Sequence, residues 1–155
     1  MVNLGPSRVP RVSVRYPHLM PEDTIIWRRF VKQGQFLPDE VWYDVRVGTP
    51  IEVASGQPEW MRKWAEYSSR KRIDIVGRMG SDWLVIEAKP KAGVVALGQV
   101  VFYGWKFELE YKPTGRVIPA IVTDSVDPDL RPLFDVAGIV VFEVGRGNEG
   151  SGAQD

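Results

Sequence analysis

The sequence predicts a mixed α/β domain: one central sheet with helices packed on its faces. Three observations carry that expectation. Segments with apolar residues at helical spacing alternate with shorter, β-branched segments of strand length. Two of the strand segments, 72–78 and 83–89, flank a Gly-Ser-Asp turn at 80–82, which makes them a hairpin. The 155 residues are 44% apolar and 26% charged, the composition of one ordinary globular domain.

Residues 1–20 hold three prolines and several basic residues, and read as an extended arm rather than a packed element. The domain proper spans 21–145. Its first helix starts at Pro21, with Glu22 and Asp23 where acids complement the helix dipole. That helix shows Ile26, Phe30 and Val31 to the core and ends at Gly34. The segment 41–48 alternates as a half-buried strand, with Val41, Tyr43, Val45 and Val47 on one face and Trp42, Asp44 and Arg46 on the other. After a loop with Pro50, Gly56 and Pro58, residues 59–71 read as a helix with Trp60, Trp64 and Tyr67 at i, i+4 and i+7. The hairpin follows. In 94–109 the valines favour strand, but sixteen residues is long for one, and Gln99 and Tyr103 stand four apart, so a buried helix fits better. Pro113 to Gly115 break it. A fourth strand covers 116–124, where Pro119 implies an edge position or a bulge. A short helix opens at Asp127-Pro128, turns Leu130, Leu133 and Phe134 inward and closes at Gly138. Residues 139–144 form the last strand, and the tail, 146–155, has nothing to bury and is expected to be disordered. With the 59–71 helix set aside, the order is helix, three strands, helix, strand, helix, strand.

Twenty basic and twenty acidic side chains give a formal net charge of zero. No overall basic field draws in nucleic acid, so any such partner must meet a local patch. The absence of cysteine excludes disulfides and thiolate metal sites, and fits a reducing, cytoplasmic setting. No apolar run reaches the length of a signal-peptide core or a membrane span, so a soluble protein with no membrane partner is expected.

The stretch WLVIEAKPK, 83–91, holds the chemistry. It begins as a buried strand, then places Glu87 and Lys89 two positions apart, on the face of Trp83 and Val85, just before Pro90. Asp74 lies thirteen positions upstream of Glu87 on the paired strand, so the turn sets the two carboxylates side by side. Two acids in a partly dry site repel, and one is driven to protonate unless a divalent cation joins them. Hard oxygen ligands select Mg²⁺ or Mn²⁺, and Lys89 is placed to orient or deprotonate a water or to hold a phosphate oxygen. That constellation suits metal-assisted hydrolysis of a phosphodiester. The plain alternative is a salt bridge at a sheet edge. E-x-K is a common triplet, and Glu110 to Lys112 repeats it at a polar helix end with no strand before it.

RIDIVGRMGSDWLVIEAKPK followed by GQVVFYGW resembles the core of the PD-(D/E)xK nuclease superfamily. Gln99 and Tyr103 resemble the Q-x-x-x-Y element of its RecB-type branch. The likeness is carried by residues 72–105, and the element order is similar to the restriction-endonuclease-like αβββαβ core. It implies Asp74 and Glu87 as metal ligands, Lys89 as the catalytic lysine, and Gln99 and Tyr103 as supports for the site and the nucleic-acid strand. Mg²⁺ or Mn²⁺ is the implied cofactor and DNA the implied substrate. Ile73 stands where the family often has proline before the aspartate. The resemblance also raises a further metal ligand from the first helix, Glu22 or Asp23, and an upstream histidine, His18. Against these stand the ordinary roles of first-turn acids and of a lone surface histidine.

Basic residues gather in two groups: Arg28, Arg29 and Lys32, then Arg62, Lys63, Arg70, Lys71 and Arg72. The second is interleaved with Trp60, Trp64 and Tyr67, and phosphate contacts with base stacking need that mixture. The same stripe serves equally as core or dimer surface; Lys63 and Arg70 lie off it and are the clearer phosphate contacts. Asp44 is expected to pair with Arg46 or a neighbour. Two functional expectations follow: a Mg²⁺- or Mn²⁺-dependent deoxyribonuclease, or a catalytically silent, nuclease-like subunit that binds nucleic acid or serves an assembly. So small a domain leaves little room for a substrate groove, and a homodimer or a larger protein partner fits either.

Overall fold

A computed structural model describes residues 2–145; the tail expected to be disordered, 146–155, lies outside the described residues. The chain forms an α/β domain in which helices flank a five-stranded mixed sheet. In chain order the elements are α1 (Pro21–Gln33), β1 (Glu40–Val47), α2 (Glu59–Ser69), β2 (Lys71–Met79), β3 (Asp82–Ala92), α3 (Val94–Tyr111), β4 (Val117–Val126), α4 (Arg131–Val136) and β5 (Val140–Glu143). The strands lie in the order β1-β2-β3-β4-β5, with the first two pairings antiparallel and the last two parallel. No described helix is long and apolar enough to cross a membrane.

Two apolar layers enclose the sheet. On one side Ile26, Trp27, Phe30 and Val31 of α1 pack on Val41, Ile75, Leu84, Ile86, Ala120 and Val122. Gly34 ends α1 at φ 68°, with its N–H on the Phe30 carbonyl. On the other side α3 buries Ala96, Val100, Gly104 and Phe107. The valine-rich segment is a helix because these positions recur on one helical face against the sheet, and context overrides the strand preference of valine.

Several details differ from the sequence expectation. Val41 and Tyr43 face α1, whereas Val45 and Val47 face α3, so the four do not share a face. Asp44, between them, has φ 57°, a left-handed conformation that Asp tolerates better than most residues, and the strand turns over there. β2 turns over at the same level, with Ile73 towards α3 and Ile75 towards α1. Pro119 lies in an interior strand, but β5 covers β4 only from Ala120 to Thr123, so the proline stands where that edge is bare. Leu133, expected inward, is exposed; α4 is only six residues long and buries Phe134 alone. The arm has no helix or strand of its own, yet it is packed. Arg8 exchanges backbone hydrogen bonds with Val41 (2.9 and 2.8 Å), and Tyr16 is buried in the α1 layer. Its prolines withhold the donors a sixth strand would need, leaving a single bridge.

The turn before β4 sets a strict local test. Gly115 has φ 99°, and a Cβ there would meet the Ser81 carbonyl oxygen at 1.9 Å. Gly80, φ 61°, has nothing within 4 Å of that position. Gly115→Ala should therefore cost about 3 kcal/mol, and Gly80→Ala about 1 kcal/mol. Urea unfolding of the two variants reads the difference as a clearly lower midpoint for the first.

Candidate functional site

The site forms where the sheet opens. The β2–β3 ladder runs from Met79↔Asp82 to Ile75↔Ile86 and stops. Beyond it side-chain carboxylates take over from backbone carbonyls. The Asp74 N–H donates to Glu87 Oε1 at 3.3 Å, and the Ala88 N–H donates to Asp74 Oδ2 at 3.2 Å. Alternation along β3 sends Glu87 to the α3 side with Trp83 and Val85, and alternation along β2 from Val76 brings Asp74 beside it. Both acids are buried, Asp74 at 8% and Glu87 at 2% exposure. Pro90 does not end β3, which runs on to Ala92; past Ile86 its β2 side is an open edge that tolerates proline.

Asp74, Glu87, Lys89, Gln99 and Tyr103 all line one open cleft of about 310 Å³. β3 supplies the acid and the lysine, β2 the second acid, and α3 the glutamine and tyrosine one turn apart. The α1 layer closes the cleft with Asp23, whose Oδ2 lies 3.5 Å from Lys89 Nζ. A larger cavity, about 550 Å³, lies under the arm beside Arg8, Arg11 and Arg15. No acid lines it, so the paired acids and the lysine are confined to the smaller cleft.

Burial raises the pKa of Glu87 well above the ordinary carboxyl range, and the charge and hydrogen bond of Asp74 raise it further. Burial raises Asp74 as well, opposed by the hydrogen bonds from Glu87 and Ala88 and by the charge of Lys89. The two raised carboxyls therefore hold a proton between them more tightly than free acids do, with Glu87 the more strongly raised. Burial works against the Lys89 ammonium, but Asp23, Asp74 and Glu87 outweigh it and its pKa ends above the usual value. Asp23 is itself raised by burial, against the pull of Lys89. The Tyr103 hydroxyl is pushed up to about 12 by burial and by the two acids, so it stays protonated. Gln99 Oε1 is buried with no hydrogen-bond partner. An unpaired buried carbonyl costs on the order of 1–3 kcal/mol, which a donor or cation entering the cleft would recover.

Among the described residues no group of three or more His, Cys, Asp or Glu is gathered to hold a metal ion. Asp74 and Glu87 form a hard-oxygen pair, and Asp23 turns to Lys89 instead. A pair of carboxylates still suits a cation such as Mg²⁺, which keeps several waters, and their shared proton marks the charge conflict that such an ion relieves.

Glu22 is exposed and outside the cleft; Asp23 is the α1 acid that reaches it. The signal was helical periodicity, since Asp23 stands with Ile26, Trp27 and Phe30 on the buried stripe and Glu22 does not. His18 lines the cleft from an exposed turn at φ 66°. Arg70 and Lys71 line it too, but the Arg70 guanidinium donates to the Gly48 carbonyl (2.9 Å) and to Glu110 (2.7 Å), and so braces the end of α2 against α3. Arg28 donates to the Ser13 and Val14 carbonyls and holds the arm, while Arg29 pairs with Asp124. Neither is a free phosphate contact. Lys63, on α2, is not part of the cleft wall. Arg72, named in the sequence only within the basic run, lines the cleft and grips Asp44 through two hydrogen bonds of 2.7 and 2.9 Å. No protein-family model, curated protein or solved structure matches this chain.

The proton on Glu87 makes stability depend on pH. The unfolded chain loses it near the ordinary value of 4.5, so above that pH the native state binds more protons and stability falls as pH rises towards the raised value. Glu87→Gln should remove this share of the decline. In chelator-treated buffer, the melting temperature of the variant should exceed that of the parent by a few degrees at about pH 8, and the gap should close towards about pH 5.

Proposed function

We propose that this protein is a Mg²⁺- or Mn²⁺-dependent nuclease with a restriction-endonuclease-like core, hydrolysing phosphodiester bonds in DNA. The observation that carries the reading is the meeting of Asp74, Glu87 and Lys89 in one open cleft, at the end of a sheet, with Gln99 and Tyr103 entering from α3. The element order supports it: α1, β1, β2, β3, α3 and β4 follow the αβββαβ pattern, with α2 inserted after β1. A cytoplasmic setting suits the reading, since the chain has no cysteine to oxidise.

Asp74 and Glu87 would hold the cation. Bound there, it would supply positive charge to the scissile phosphate and a more acidic water. Lys89, half-buried in the cleft beside the two acids, would orient a water or donate to a phosphate oxygen. Asp23 holds the ammonium in place from α1. The Tyr103 hydroxyl is a second donor in the same cleft and Gln99 Oε1 an acceptor awaiting a partner. Lys71 at the wall gives DNA phosphates a local positive contact on a chain of zero net charge, while Arg72 beside it is held by Asp44.

A catalytically silent, nucleic-acid-binding or assembly subunit is the second reading. It draws on the acids of the cleft, which among the described residues do not gather as three around one point. Incubation with single-stranded, duplex and branched DNA in Mg²⁺, Mn²⁺ or EDTA decides between them. The nuclease reading expects metal-dependent product, reduced at least about 100-fold in Asp74→Ala, Glu87→Ala and Lys89→Ala. Product that survives EDTA or the Asp74→Ala change overturns it, and DNA binding without product on every substrate favours the silent subunit.

A further inference from the structure

Helix α2 wears its apolar face outward. Trp60, Trp64 and Tyr67 form one stripe and are 66%, 66% and 61% exposed. Met61, Ala65 and Ser69, away from the stripe, are half-buried, and no residue of the helix is fully buried. An amphipathic helix ordinarily turns its apolar stripe to the core. This one is held by polar anchors instead. The Arg46 guanidinium lies 3.4 Å from the Tyr67 ring centre and donates to the Tyr67 carbonyl, the Ile51 N–H donates to Ser69 Oγ, and Arg70 ties the helix end to Gly48 and Glu110.

Three features say what the stripe meets. From the last turn of α2 the chain runs through Arg70, Lys71 and Arg72 along the cleft wall to Asp74, so the helix is the approach to the candidate site. Lys63 flanks the stripe, and its pairing with Glu59 at 3.2 Å is so exposed that a phosphate replaces it at little cost. Along the axis the backbone positions of the three follow one another at about 6 Å and about 4.5 Å, so their side chains form one continuous row. Rows of aromatic rings flanked by cations suit unpaired bases, whose faces are open to stacking; a duplex hides those faces.

We infer that α2 is a platform for single-stranded DNA. Bases of an unpaired segment stack on Trp60, Trp64 and Tyr67, while the phosphates follow Lys63 and Lys71 to the cleft. The inference rests on the reading of the cleft as a phosphodiester site and narrows its substrate to DNA with a single-stranded segment beside the cut. A second copy of the chain would also cover an apolar stripe, but it would leave the run of cations that joins the stripe to the cleft without a purpose.

Fluorescence anisotropy of a labelled oligothymidylate of about 15 nucleotides, with the full chain in EDTA, tests this apart from cleavage. The oligothymidylate should bind more tightly than a duplex of equal length. Trp60→Ala and Trp64→Ala should each weaken binding about tenfold, and the double variant about 100-fold. Folding should be unaffected, since neither side chain is buried, and an unchanged melting temperature verifies it. Parental affinity in the double variant overturns the inference, as does a preference for duplex. So does a dimer that the double variant abolishes while oligothymidylate affinity stays intact. Metal-dependent cutting with tryptophan-independent binding removes the platform and leaves the nuclease. Tryptophan-dependent binding by a protein that never cuts removes the nuclease and leaves the platform.

Discussion

The β2–β3 ladder ends one residue pair short of its acids, and the site depends on that gap. Had it continued, Asp74 and Glu87 would be directly opposed across two strands, where like charges destabilise a sheet. The structure gives each acid a backbone donor instead, the Asp74 N–H for Glu87 and the Ala88 N–H for Asp74. β3 can leave β2 here because β4 holds its other edge from Trp83↔Val117 through Ala92↔Val126. The antiparallel partner departs, the parallel one stays, and the opening between them is the cleft.

One ammonium then faces three acids from different layers. Asp23 comes from α1, Asp74 from β2 and Glu87 from β3, while Gln99 and Tyr103 come from α3 on the opposite side of the sheet. Neither helical layer alone completes the set, so the cleft exists only when both have docked. Removing one charged partner would strand the others in a dry site, which is why such clusters are sensitive to single changes. A second network steadies the rim: Arg70 spans Gly48 and Glu110, and the Tyr111 hydroxyl donates to the Arg46 carbonyl at 2.8 Å. The E-x-K repeat at Glu110 to Lys112 is thus part of a brace, and its glutamate serves Arg70 and the Gly48 N–H.

Much of this was legible in the residues, and the limits have physical causes. The period of two along β3 set Glu87 and Lys89 on one side, and the short turn of the hairpin brought Asp74 level with Glu87. Helical spacing separated α3 from a strand despite its valines. The turn-over at Asp44 was not legible, because a single residue at φ 57° leaves no mark on an alternating pattern; Asp tolerates it without requiring it. Asp23 was legible but outweighed, since an acid in a first turn already has a reason to be there. The fate of the arginines depended on long-range partners, such as the arm carbonyls that Arg28 holds, and spacing carries no information about those.

The orientation of α2 is the feature that packing alone does not explain. Turned about its axis by half a turn, the helix would take two tryptophans and a tyrosine out of water, at roughly 25 cal/mol for each Å² covered. Four interactions oppose that rotation. The Arg46 guanidinium occupies one face of the Tyr67 ring while bonded to the same residue's carbonyl, and Ser69 and Arg70 fix the helix end at its junction with β2. Arg46 is held in turn by Asp44, which also carries Arg72. The chain of contacts therefore runs from the exposed stripe through Tyr67, Arg46, Asp44 and Arg72 to the wall of the cleft. The residue whose left-handed backbone turns β1 over is the same one that joins α2 to the candidate site, so the geometry of the sheet and the direction of the aromatic face have a common origin.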